Sequence, residues 1–155
     1  MTDLAQLEDA PLVWPTGELV DVASIEAYAE DARIVATPLE DNTIRTPDWV
    51  IGELAAVSRH ASRMVLVILN AETFKRRAAT KLERARAKAR WENRNRPPSQ
   101  ISARVVMATE AEKDEYDAAV AAFEYSRRVG NLLKDYTGRV QSIGKQVELA
   151  MRGGA

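Results

Sequence analysis

Between Lys75 and Arg96 the chain reads KRRAATKLERARAKARWENRNR, ten Lys/Arg against two carboxylates, Glu83 and Glu92, with a tryptophan inside the run. Side chains of this type do electrostatic rather than covalent chemistry. A row of cations neutralises phosphates and releases their counterions, and an indole between Arg90 and Arg94 can stack on an unpaired base while the cations follow the backbone. The residues so arranged are Lys75, Arg76, Arg77, Lys81, Arg84, Arg86, Lys88, Arg90, Trp91, Arg94 and Arg96. Trp91 has an alternative role as an apolar plug at the end of a helical hairpin, and the cations could form a solvated face paired with acids on other elements. A helix that needed only solubility would mix Glu with Lys, so one sign of charge favours a polyanion. No zinc finger, P-loop, ribonucleoprotein motif or recognition-helix turn accompanies the run, which points to nonspecific, salt-sensitive binding.

The run belongs to a wider sorting of charge that a net charge of −1 conceals. Residues 1–58 hold twelve Asp/Glu and two Lys/Arg, residues 59–109 hold thirteen Lys/Arg and three Asp/Glu, and the remainder is close to balanced. The acidic third could itself lie on the basic helix, in the same chain or in the next subunit.

Other chemistries have little to work with. Without cysteine there are no disulfides, thiolate metal sites or cysteine nucleophiles. His60 is the only histidine, set between Arg59, Ser62 and Arg63 with no nucleophile elbow. No metal cluster, paired-carboxylate motif or nucleotide loop stands out, so a non-enzymatic protein without metal or cofactor is expected. Met1 to Ala10 lack the basic and apolar regions of a signal peptide. The longest apolar run, Met64 to Leu69, is far short of the about 20 residues of a membrane span. A cytoplasmic protein with no membrane partner is expected.

The elements that would carry the run are helices. Thr46, Pro47 and Asp48 make a helix start, and from Val50 an alternating step of four and three runs through Leu54, Val57, Ala61, Met64, Ile68, Ala71, Lys75, Ala78, Leu82, Ala85 and Ala89. Arg96-Pro97-Pro98 ends it. Residues 95–108 read as a connector, with Ile101 to Met107 weakly extended. Thr109 with Glu112 has the form of a capping box, and a second seam follows through Ala119, Ala122, Ser126, Val129, Leu133, Tyr136, Val140, Ile143, Val147 and Ala150. The expected fold is all-α: a long antiparallel hairpin or coiled coil over 47–155, with helices at about 47–94 and 109–151, and an irregular acidic arm over 1–46. In the arm a short helix from Ser24 to Arg33 and a strand pair of Leu19-Val20 with Ile34-Val35 are the two periodic features, and Trp14 is expected to dock on a neighbouring helix. Met64–Leu69 is apolar on every side, and Gly130, Gly138 and Gly144 interrupt the second helix. Close helix approach would account for both, and self-association is expected.

The basic Ala-rich helix, the connector ending Val106-Met107-Ala108-Thr109-Glu110-Ala111-Glu112, the alanine-rich turn Tyr116-Asp117-Ala118-Ala119 and the closing Gln141-Ser142-Ile143-Gly144 together resemble phage recombination mediators of the UvsY type, over about residues 50–152. The resemblance implies a helical hairpin that assembles into a ring-like homo-oligomer, binds single-stranded DNA, and helps load a recombinase onto strands coated by a single-strand-binding protein. It puts the DNA contacts on Lys75, Arg76, Arg77, Lys81, Arg84, Arg86, Lys88 and Arg90, and implies the cytoplasm of a phage-infected host. The acidic arm has no counterpart in it. The competing expectation is an oligomeric scaffold joined by contacts between acidic arm and basic helix.

Overall fold

The computed structural model describes residues 10–36 and 45–153, so parts of the acidic arm, residues 1–9 and 37–44, lie outside the described residues. The described chain is all-α: α1 Val22–Val35, α2 Pro47–Glu92, α3 Pro98–Ala108 and α4 Glu110–Gly153. Pro47 supplies a preset φ and no donor at the first turn of α2, and the Thr46 hydroxyl accepts the Trp49 N–H at 3.2 Å. Seven of the twelve seam positions on α2 are buried, and so are seven of the ten on α4, from Ala119 to Val140. The period of the apolar residues therefore decides which face each helix hides.

The structure departs from four expectations. The connector is helical from Pro98 onward. Pro97 and Pro98 stop α2, but Pro97 also caps the next helix and Pro98 occupies its first turn, where a missing N–H costs nothing. The capping box at Thr109 does not form: its hydroxyl donates to the Val105 carbonyl at 2.8 Å and its N–H is shared between the Val105 and Val106 carbonyls. Thr109 is thus one buried, non-helical residue between α3 and α4, tied back to the preceding turn. Tyr116 to Ala119 lie within α4 and form no turn. In the arm, the expected short helix is α1, whereas Leu19 bridges to Val13, and Ile34 and Val35 are in α1.

The chain divides into two compact units, Met1–Ile25 with Leu69–Glu124, and Glu26–Ile68 with Tyr125–Ala155. In the first, residues 12–20 fold back through a turn at Gly17, whose φ of 88° suits a residue without Cβ. Trp14 is buried and its indole N–H donates to the Ser24 hydroxyl at 3.0 Å. Asp21 and Ser24 cap α1 reciprocally, Ser24 N–H to the Asp21 carboxylate at 2.7 Å and Asp21 N–H to the Ser24 hydroxyl at 3.0 Å. The Ser24 N–H, then the Ser24 hydroxyl, hold the Asp21 carboxyl below its ordinary range. The core is mostly small: Ala71, Ala78, Leu82 and Ala89 of α2 with Ala119, Ala122 and Phe123 of α4. Lys81 pairs with Glu115 and the Lys75 ammonium lies 3.8 Å from the Phe123 ring centre, so these stretches of α2 and α4 run antiparallel.

In the second unit Val57, Met64 and Val67 of α2 are buried, as are Val129, Leu133, Tyr136 and Val140 of α4. The Tyr136 hydroxyl donates to Glu53 at 2.8 Å, and burial together with that carboxylate pushes the phenol up to about 12. A Cβ on Gly130 would sit 3.0 Å from the Ile68 Cδ1, and one on Gly144 3.0 Å from the Val50 Cγ1. Close approach therefore accounts for these two glycines. It does not account for Gly138, whose added Cβ would meet nothing within 4 Å. Ala29 and Ala32 of α1 and Ala36 just after it are buried, and Glu30 accepts from Arg33 at 2.6 and 2.7 Å and from the Tyr125 hydroxyl.

Gly138→Ala is expected to stabilise the fold by about 1 kcal/mol from helix propensity alone. Gly130→Ala should gain less, because the Ile68 methyl must yield; urea midpoints of the two variants decide. Arg33, then Tyr125, hold the Glu30 carboxyl at about 2 against an ordinary 4.5. A carboxylate whose folded value is depressed stabilises the fold fully above 4.5 and loses that contribution as pH falls toward 2. Glu30→Gln should therefore flatten the pH dependence of the melting temperature across that window and leave the slope above it unchanged.

Candidate nucleic-acid interface

The basic run occupies the second half of α2 and the turn after it, and the helix sorts its cations by direction. Ala78, Leu82 and Ala89 face the core. At 3.6 residues per turn, Arg84, Ala87 and Trp91 fall on the opposite, outward face and Arg90 toward one flank, and all four are exposed. Arg77 and Lys81 fall on one flank and Lys75 and Arg86 on the other.

The flanks are engaged by the protein itself. Arg77 donates to the Ala10 carbonyl at 2.5 Å, and Lys81 pairs with Glu115. Both border a hollow of about 330 Å3 whose other walls include Leu12, Val20 and Phe74. The arm thus reaches the basic helix within one chain, at Arg77. Lys75 is half-buried over Phe123. Lys75 and Arg77 are the less exposed of the three, and Lys81 ties α2 to α4 through an exposed pair.

A second group is paired along its own helix: Arg76 with Glu72 at 2.5 Å, Arg86 with Glu83 at 2.8 Å and Lys88 with Glu92 at 3.9 Å. Exposed pairs of this kind contribute about 0–1 kcal/mol. A polyanion could displace the carboxylates at little cost.

The end of α2 is different. Trp91 is 67% exposed, so it is no plug. The Arg94 guanidinium lies 4.1 Å from the centre of its indole ring and donates to the Trp91 carbonyl at 3.0 Å. The turn that sets this stack begins where Asn93 closes α2, its side chain donating to the Ala89 carbonyl at 2.8 Å. It continues through Arg96 N–H to the Asn93 carbonyl at 3.0 Å. Arg90 and Arg96 are also exposed. Of the eleven residues singled out from sequence, the structure brings Arg90, Trp91, Arg94 and Arg96 together at one hairpin end, with Arg84 on the same outward face of α2.

Sequence reasoning missed Arg104. It was set aside with the connector, yet it is exposed on α3 beside the buried Val105, with Val106 and Met107 exposed after it. A proline pair read as a helix start as well as a stop would have found it.

His60 is half-buried within α2, its Nδ1 without a hydrogen-bond partner among the described residues, and Ser62 donates to the Ser58 carbonyl at 3.0 Å. That hydroxyl is bonded back to its own helix, so the two form no catalytic pair here. Among the described residues no group of three or more His, Asp or Glu could hold a metal ion, and no helix is long and apolar enough to cross a membrane. No protein-family model, curated protein or solved structure matches the chain.

Exposure of the three tryptophans is graded: Trp14 buried, Trp49 intermediate, Trp91 outermost. Trp91→Phe is expected to remove most of the iodide-quenchable tryptophan emission while leaving the blue-shifted component of Trp14. Retained quenching would place Trp91 inside.

Proposed function

We propose that the protein is a non-enzymatic single-stranded DNA-binding protein that acts as a recombination mediator, helping to load a recombinase onto strands held by a single-strand-binding protein. The observation that carries the DNA part is the indole of Trp91, 67% exposed and stacked with Arg94, at a helix end that also presents Arg90 and Arg96. An open indole gains by stacking only on a base that is not already stacked in a duplex. The cations beside it supply attraction that does not depend on base identity. The mediator part rests on the resemblance of residues 50–152 to UvsY-type proteins, which also supports a phage origin and a homo-oligomer.

On this reading the contact set is narrower than the whole basic run. Arg90, Trp91, Arg94 and Arg96 touch the strand, with Arg84 and Arg104 as further candidates. Arg76, Arg86 and Lys88 add charge by exchanging their carboxylates for phosphates. Lys75, Arg77 and Lys81 serve the fold.

Fluorescence anisotropy of a labelled oligonucleotide tests this. Trp91→Ala is expected to weaken binding by about 1–3 kcal/mol, the range for one stacked base. Arg90→Gln and Arg94→Gln should each lower the magnitude of the slope of log K against log salt by about 0.7. Lys75→Gln should leave that slope unchanged. Equal losses at Lys75 and Arg90, or duplex bound as tightly as single strand, would sink the reading.

A further inference from the structure

In the second unit α2 and α4 leave an open groove of about 690 Å3 whose two walls differ in chemistry. The α2 wall is apolar: Ala61, Val65 and Ile68, with Val65 70% exposed. The α4 wall is polar and carries one sign of charge. Arg127, Asn131, Lys134, Gly138 and Gln141 follow one another by steps of four and three, the spacing of a single helix face, and Lys145 continues the stripe. No carboxylate interrupts it.

We infer that this groove binds an acidic amphipathic helix of another protein. The proposal goes beyond the nucleic-acid reading and uses none of its residues. From Arg127 to Gln141 the α4 wall covers 15 residues, about 21 Å at 1.5 Å per residue, enough for about four helical turns. A helix laid there would set its apolar face on Val65 and Ile68 and its carboxylates toward Arg127 and Lys134, the mode in which apolar anchors at i, i+3, i+4 and i+7 fill a groove. Gly138 fits this role. An added Cβ there would meet nothing within 4 Å, so the space above it is open to an incoming side chain. The walls also argue against two other occupants. A nucleic acid would gain from Lys134 but has nothing to place on an exposed valine. A symmetric second copy would bring two cationic stripes together, and like charges set opposite one another are penalised.

A labelled peptide of about 15 residues, with leucines at i, i+3, i+7 and i+10 and glutamates elsewhere, tests the proposal against the full-length protein, beside a control in which lysines replace the glutamates. The glutamate peptide should bind saturably, and the lysine peptide at least about tenfold more weakly. Val65→Glu and Lys134→Glu should each weaken the glutamate peptide about tenfold. Both positions are exposed, so helical circular dichroism should not change. Trp91→Ala should bind the peptide as the parent does, and Val65→Glu should bind oligonucleotide as the parent does, so that failure of one site is separable from failure of the other. Equal binding of the two peptides, no binding of either, or indifference to Val65→Glu overturns the proposal. So does sedimentation showing that the parent self-associates and Val65→Glu dissociates it, since the groove would then belong to a second copy.

Discussion

An alanine in a helix seam removes one methyl group from water, worth about 0.8 kcal/mol, where a leucine would remove three or four times as much surface. What it gives instead is closeness. In the first unit the seam of α2 is Ala71, Ala78, Leu82 and Ala89, facing an α4 seam of Ala119, Ala122 and Phe123. Such thin contacts stabilise little per turn, so the unit needs length, helix propensity and ties from side chains that reach around the seam. Trp14 is one, buried and bonded to Ser24. Arg77 on the Ala10 carbonyl, Lys81 on Glu115 and Lys75 over Phe123 are others. The constraint explains why part of the basic run is structural: long cationic side chains cover apolar surface with their stems while their charged ends find partners on the next element.

The second unit solves the same problem with larger groups. Val57, Met64 and Val67 replace alanines on α2, Leu133 and Tyr136 do so on α4, and α1 adds Ala29 and Ala32. Bulk on one helix then demands its absence on the other, which is why Gly130 sits against Ile68 and Gly144 against Val50. Tyr136 and Glu53 add a buried, directional bond that an all-apolar contact lacks.

Much of this was legible in the residues. The Thr46-Pro47-Asp48 start, the two seams and the short helix in the acidic arm are local signals, and each was read from a few neighbouring side chains. The failures share a cause. Pro97 and Pro98 can end one helix and begin another, and which they do depends on whether Val105 finds a core, a long-range fact. Thr109 carries the sequence of a cap, but its burial and the carbonyl four residues back offer its hydroxyl a better partner. The site divides the same way. Cationic residues could be found from sequence, whereas the partners that claim Arg77 and Lys81 lie 67 and 34 positions away. Trp91 was evenly balanced between plug and platform because the pattern around it fits both; only its exposure separates them.

Some carboxylates of the acidic arm find partners other than the basic helix. Asp21 is used in capping α1, and Glu30 is held by Arg33 and Tyr125, so two carboxylates of the arm are satisfied close to home. What the arm gives Arg77 is a backbone carbonyl, which carries no net charge and leaves the positive potential of the helix in place. Exposed cations gather where α2 ends, beside the exposed indole of Trp91. A helix terminus with the negative end of its dipole would ordinarily be a poor place to attract an anion. Arg90, Arg94 and Arg96 outweigh that half charge, and the Arg94 guanidinium, bonded to the Trp91 carbonyl, covers part of the negative end itself.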